Sequence, residues 1–229
     1  MLLELSYVLN EHSPKWPTNP EEKYYDITSP AKGDINTTSS VYHHLHNGTH
    51  VDAPRHFDAD GSTIEQLPIE DFYYTKPYVL VLKKGKGDTI DLGDILLHEN
   101  EIKQCDILLI YTGYSELRES APEKFMDDFP SLSPELAIYL RKKLPSLKAV
   151  ALDTLSVDSA VSGAQNGFPS HHALLDQNDD CRERTLLIFE DVNIKTLLGC
   201  KGIKSICAFP VRWTGLEAAP VSMVAIIEK

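Results

Sequence analysis

Residues 133–154 read SPELAIYLRKKLPSLKAVALDT, a helix signal followed at once by a strand signal. Ser133 is a capping residue, Pro134 fits a first helical turn, and Glu135 favours the positive helix end. Leu136, Leu140 and Leu144 recur every four residues, so one face is apolar, and Pro145 stops the run. KAVALDT (148–154) then changes the pattern to a nearly continuous apolar run of strand length. Such a run suits a strand covered on both faces of its sheet.

The same kind of run recurs on either side of this stretch. It appears as YVLVLKK (78–84), DILLIYT (106–112), TLLIFED (185–191), SICAFPV (205–211) and VSMVAII (221–227). Strands and helices alternate in the second half, which predicts an α/β fold with a mixed sheet. NEHSPKWPTNPEEK (10–23) reads as a long loop or lid, because Pro14, Pro17 and Pro20 break both helix and ladder. No linker, repeat or low-complexity tract interrupts the 229 residues, so one domain over 1–229 is expected.

Composition excludes several classes of function. A net charge of −12 repels phosphate backbones and argues against a nucleic-acid partner. No apolar run reaches membrane-spanning length. Cys105, Cys181, Cys200 and Cys207 form no C-x-x-C pair and read as free thiols of a reducing compartment. MLLELSYVLN (1–10) lacks a basic leader region and carries Glu4, so it reads as a strand rather than a signal peptide. These features predict a cytoplasmic protein. There is no G-x-S-x-G elbow, no complete dinucleotide fingerprint and no G-K-[ST] phosphate loop.

The chemistry gathers in HLHNGTHVDAPRHF (44–57), where His46, His50, Asp52 and His56 lie close together. Asn47-Gly48 is a turn pair, Thr49 and Val51 are β-branched, and Pro54 keeps Ala53 out of helical space. The segment is therefore extended rather than helical. On a strand His50 and Asp52 point to one side, and Gly48 lets His46 swing back toward them. His56 has the same parity unless Pro54 shifts it. Two imidazoles and a carboxylate on one face are a ligand set for a borderline divalent cation such as zinc or manganese. His43 and His44 read as a strand residue and a supporting group. His12 and His98 read as surface or core residues. Further candidates are the pair His171 and His172 in FPSHHALL and Glu190 at the carboxyl end of an apolar strand. Glu183, in the polar run DQNDDCRER, reads as solvated.

HNGTHVDAPRHF resembles the H-x-G-T-H-x-D-x-P-x-H-F signature of the cyclase family of metal-dependent hydrolases, which includes bacterial kynurenine formamidase and isatin hydrolase. The resemblance extends over DILLIYTGYSE, FPSLSPELAIYL, AVALDTLSVDS, GFPSHHALL, LLIFEDV and GLEAAPVSMVAII. It implies a swivelling β/β/α fold, one or two zinc or manganese ions, and a homodimer or higher oligomer with sites near the subunit interface. By motif it assigns His46, His50, Asp52, His171 and Glu190 as metal ligands and His56 as the catalytic, non-ligand histidine. The connection DQNDDCRERT is longer and more polar than the family's usual short one. The expected activity is hydrolysis of an amide, an aryl formamide or a related cyclic amide, by water activated at the ion. The same Lewis acid and base would also serve a dehydration or a ring closure. A non-catalytic metal site would instead be closed by four protein ligands.

Overall fold

The computed structural model describes residues 1–177 and 184–228, so Cys181 and Glu183 lie outside the described residues. Strands run in chain order as β1 (Leu2–Glu4), β2 (Lys23–Thr28), β3 (Thr38–Tyr42), β4 (His50–Asp52), β5 (Tyr73–Tyr74), β6 (Pro77–Val81) and β7 (Thr89–Ile90). They continue as β8 (Ile107–Tyr111), β9 (Ser131–Leu132), β10 (Ala149–Leu152), β11 (Leu187–Glu190), β12 (Ile203–Pro210) and β13 (Ala218–Ile227). The main sheet has the order β5-β12-β13-β4-β11-β10-β8-β6, with β1 added to β13. Its β6, β8, β10 and β11 are parallel, whereas β4, β13, β12, β5 and β1 are joined by antiparallel pairings. The predicted mixed α/β sheet is therefore present, and each of the six apolar runs supplies one of its strands.

Alternate residues of the parallel strands face two separate cores. Ile107, Leu109, Ala149, Ala151 and Phe189 pack with Ala208, Met223 and Ala225, so the antiparallel half curls over that face. Leu108, Ile110, Val150, Leu152 and Ile188 pack with Leu136 and Leu140, so helices cover the other. This two-sided burial is why these strands carry no polar alternation. The helix spans Pro134–Lys143, and the Leu136 N–H donates to Ser133 Oγ at 3.1 Å. A cap of this kind contributes about 1 kcal/mol. Leu136, Leu140 and Leu144 are all buried, as their spacing requires.

The amino terminus is a strand, as expected. Two features depart from the sequence reading. β2 and β3 form a separate hairpin, paired with one another and exposed along nearly its whole length. Strand β4 ends at Asp52, so His56 does not continue its parity. It comes round on a single 3-10 turn, Pro54–His56, with Pro54 in the first position. The fixed φ of proline suits that turn and cannot extend a ladder.

Candidate metal centre

Strand β4 lies between β11 and β13 and has His50 directly opposite Glu190. Cross-strand pairing thus brings together two groups that are 140 positions apart in the sequence. His50 Nε2 lies 3.4 Å from Glu190 Oε2 and 3.4 Å from Asp52 Oδ1. Gly48 adopts φ 67°, a left-handed turn that a side chain resists, and a Cβ there would meet Leu9 Cδ2 at 2.1 Å. That turn returns His46, whose Nδ1 is 2.9 Å from Asp52 Oδ1. His171 enters from the helix Pro169–Leu175, its Nε2 3.4 Å from Glu190 Oε1 and 3.7 Å from Asp52 Oδ2. His172, on the same helix, is half exposed and faces Asp176 instead. Geometry thus separates two adjacent histidines that the sequence left open.

Each of the three imidazoles has its far nitrogen held. His50 Nδ1–H donates to the Gly48 carbonyl at 2.8 Å. His171 Nδ1 faces Asp158 Oδ2 at 2.7 Å, and His46 Nε2 faces Glu217 Oε1 at 3.3 Å. Partners of this type set the tautomer and aim the remaining lone pair inward. Asp158 and Glu217 were not singled out in the sequence. Both lie in segments that carry the family resemblance, AVALDTLSVDS and GLEAAPVSMVAII, but only the fold shows which nitrogen each one faces.

The centre of the cluster suits a cation. Asp52 is fully buried, and both its oxygens lack a hydrogen-bond partner, as does the sealed His50 Nε2. Orphaned buried groups of this kind are costly. A divalent ion among them would satisfy all three. Ligand-type atoms of His50, Asp52 and Glu190 lie within 4.8 Å of one another, and so do those of His46, Asp52 and His56. Asp52 belongs to both sets.

Charge compensation in the metal-free chain shows the same demand. Burial opposes a charge on His46, but Asp52, with Glu217 and Glu190, carries its pKa up to about 10. Burial likewise opposes His171, and Asp158 and Glu190 carry it up to about 10. Burial would raise Asp52, yet His46, His56 and His50 hold it well below the usual carboxylate range. His56 behaves differently: burial pushes its imidazole down to about 4 despite Asp52.

A pH dependence follows. The folded pKa of His46 and of His171 lies above the unfolded value of about 6.5. Their stabilisation of the metal-free fold is complete below that value and is lost as pH rises through about 10. The unfolding temperature of metal-free protein should decline over that window. Metal must displace these protons, so its binding releases them and weakens as pH falls. Calorimetric titration with zinc at neutral pH, in two buffers of different ionisation enthalpy, should give clearly different apparent heats. Equal heats would reject proton displacement.

Supporting contacts lock the strands that carry the candidate ligands. Asp191, next to Glu190, has φ 50° and is held by Arg118, whose Nε and Nη2 donate to its two oxygens at 2.7 Å each. Thr49, next to His50, donates its hydroxyl to the Asp191 carbonyl at 2.6 Å. One residue thus ties β4 to the end of β11 and stores a strained backbone beside the cluster.

A cavity of about 330 Å³ opens over the cluster, reached by His46, His56, His171 and Glu190 on one side and by Trp16, Phe57, Leu155 and Phe168 on another. The Trp16 and Phe168 rings lie 5.9 Å apart, and Phe57 and Phe168 5.7 Å. The loop carrying Trp16 is hooked down by Asn19 Nδ2, which donates to Asn47 Oδ1 at 3.0 Å. Trp16, in the proline-rich loop, lines the cavity. Tyr24 does not and sits exposed on β2. An open cavity over the candidate ligands differs from the closed shell of a structural metal site.

The family model described as putative cyclase matches residues 3–159. The chain belongs to the cyclase family. A kynurenine formamidase of Geobacillus thermodenitrificans is 30% identical to it over 177 residues, which is 75% of this chain and 76% of that relative. A kynurenine formamidase of Bacillus cytotoxicus is 26% identical over 223 residues, covering 97% of this chain and 95% of the relative. Among solved structures, isatin hydrolase A from Labrenzia aggregata matches with a TM-score of 0.83 at 18% identity, covering 100% of this chain and 94% of that one. This last likeness bears on the fold, and the cyclase-like fold expected from the motif is the one observed. No helix among the described residues is long and apolar enough to cross a membrane.

Proposed function

We propose that this cyclase-family chain hydrolyses an aryl formamide such as N-formylkynurenine, or a related cyclic amide, in the cavity above Asp52. The coarser class, a metal-dependent amidohydrolase, rests on family membership and on the kynurenine formamidases among its relatives. The observation that supports it best is the meeting of three oriented imidazoles with two buried carboxylates, of which Asp52 has both oxygens without a hydrogen bond. In this reading His46, His50, Asp52, His171 and Glu190 hold one or two divalent cations, zinc or manganese. When bound, such an ion supplies a Lewis acid and lowers the pKa of water toward about 7.

The chain's own residues do the rest. Trp16, Phe57 and Phe168 take the aryl ring and exclude water around it. His56 faces the cavity as a neutral base. It takes a proton from the attacking water and returns it to the leaving amine. Its ring stacks on His46 at 4.1 Å between centroids and lines the cavity. Asp158 and Glu217 keep the ligand imidazoles in one tautomer throughout.

A homodimer or larger assembly belongs to the same reading. The hairpin β2–β3 exposes Tyr24, Tyr25, Ile27, Val41 and Tyr42. Two-stranded hairpins are marginal in water by themselves, and a second copy would cover this one.

The test is metal-reconstituted protein assayed against N-formylanilines, N-formylkynurenine, isatin and simple lactams, with its mass read by sedimentation velocity. Hydrolysis of aryl amides that stops on chelation and resumes on adding zinc or manganese is expected, in an assembly above monomer mass. Dehydration or cyclisation products without amide cleavage would overturn the hydrolase assignment. A strict monomer with full activity would remove the assembly.

A further inference from the structure

His44 does not act as a mere support beneath the cluster: it lines the cavity itself, with Asn19 and Glu217 also on the wall. Its ring lies 5.7 Å from that of His46, centroid to centroid. The two nitrogens of His44 are not equivalent. Nδ1 is sealed from solvent and has no partner, whereas Nε2 is neither sealed nor paired among the described residues. A buried unpaired N–H is rarer in proteins than a buried unpaired acceptor. The proton therefore belongs on Nε2, the nitrogen left for the cavity. His44 thus offers an unused donor at the edge of a site in which His46 and His171 have partners and His56 is assigned to proton transfer.

Asn19 adds a second donor in the same corner. The Asn47 N–H donates to the His44 carbonyl at 2.9 Å, and Asn19 Nδ2 donates to Asn47 Oδ1 at 3.0 Å. One turn, residues 44–47, thus carries both groups. An Nδ2 has two hydrogens, and the bond to Asn47 uses one. The corner is rich in donors and lies beside the aromatic wall formed by Trp16 and Phe168.

We propose that His44, with Asn19 beside it, determines specificity by donating hydrogen bonds to an acceptor oxygen, a ring-borne ketone, amide or carboxylate, on an aromatic amide substrate. This rests on the amidohydrolase reading above and goes beyond it by naming the substituent the site selects. His44 stands beside His46 on the cavity wall, so its donor lies on the same side of the site as the histidine and carboxylate cluster. A site that offers donors discriminates more sharply than an apolar one, because a substrate lacking the acceptor leaves those donors unpaired.

The experiment compares ortho-formamidoacetophenone with formanilide on zinc-loaded and manganese-loaded full-length protein, for the unaltered chain, His44→Leu and His44→Gln. The unaltered chain should favour the ketone. His44→Leu should cut the ratio of kcat/KM for the two substrates about tenfold, through KM rather than kcat, at unchanged metal content. His44→Gln restores a donor near the Nε2 position and should recover part of the ratio. Binding of the products, ortho-aminoacetophenone against aniline, is measured calorimetrically on the same samples and needs no turnover. A ratio unmoved in His44→Leu, or products bound equally by all three proteins, would overturn the proposal. If neither formamide is cleaved, the hydrolase reading fails, and the binding comparison still decides the role of His44.

Discussion

Replacing His56 by alanine should leave the metal in place and remove nearly all turnover. The imidazole lies at the end of a 3-10 turn, stacked on His46 and edge-on to Phe57 at 4.6 Å, with its side chain making no hydrogen bond among the described residues. Unlike His46, His50 and His171, it has no carboxylate or carbonyl fixing its far nitrogen. A ligand histidine is normally held in that way. A base that must take up and give back a proton gains from being unheld. General acid–base groups contribute about a hundred- to ten-thousandfold, and a loss in that range is expected. The readouts are metal content by elemental analysis and hydrolysis of the best aryl amide. Its atoms also lie within ligand distance of those of His46 and Asp52, so a real alternative exists. Loss of metal together with activity would make His56 a ligand. Full activity with full metal would remove it from the reaction.

Replacing Asp52 by asparagine should empty the centre. Asp52 is fully buried, and its two oxygens face His46, His50 and His171 at 2.9, 3.4 and 3.7 Å. Asparagine keeps the shape but removes the charge and turns one acceptor into a donor aimed at the ion. Breaking an outer partner of a ligand costs about 10–100-fold in metal affinity. Removing a residue shared by both candidate ligand sets should cost more. Metal stoichiometry after dialysis should fall to a small fraction of that in the unaltered chain. The metal-free protein changes too, because His46 and His171 lose an opposing charge and should titrate lower. Imidazole titration by NMR would report this even where metal is absent. Unchanged stoichiometry in a folded Asp52→Asn variant would sink the ligand assignment.

Much of the fold was legible because its signals are local. The helix Pro134–Lys143 announces itself by a cap, a first-turn proline and leucines four apart, and burial of those leucines makes the pattern necessary. Strands β8, β10 and β11 are buried along their length, so their sequences have no polar face to hide them. The hairpin β2–β3 was missed for the opposite reason. It is exposed, and residues such as Lys23, Tyr24 and Asp26 do not mark one side as inward. His56 is near the others, and Pro54, the residue able to break its strand parity, is what delivers it on a 3-10 turn.

For the site, the sequence by itself determined the ion-seeking core of the chemistry. His46, His50, Asp52 and His56 are joined by a short backbone whose glycine and proline allow few shapes, so their neighbourhood is written in the chain. The tertiary structure decided the remainder. It chose His171 over His172, set Glu190 against His50 by pairing β11 with β4, and brought Asp158 and Glu217 to the far nitrogens. It also turned His44 and Asn19 into a cavity wall. These residues lie far from one another or carry no motif, and a contact between distant residues has no local sequence pattern. It exists only once strand register and helix packing have fixed where each side chain points.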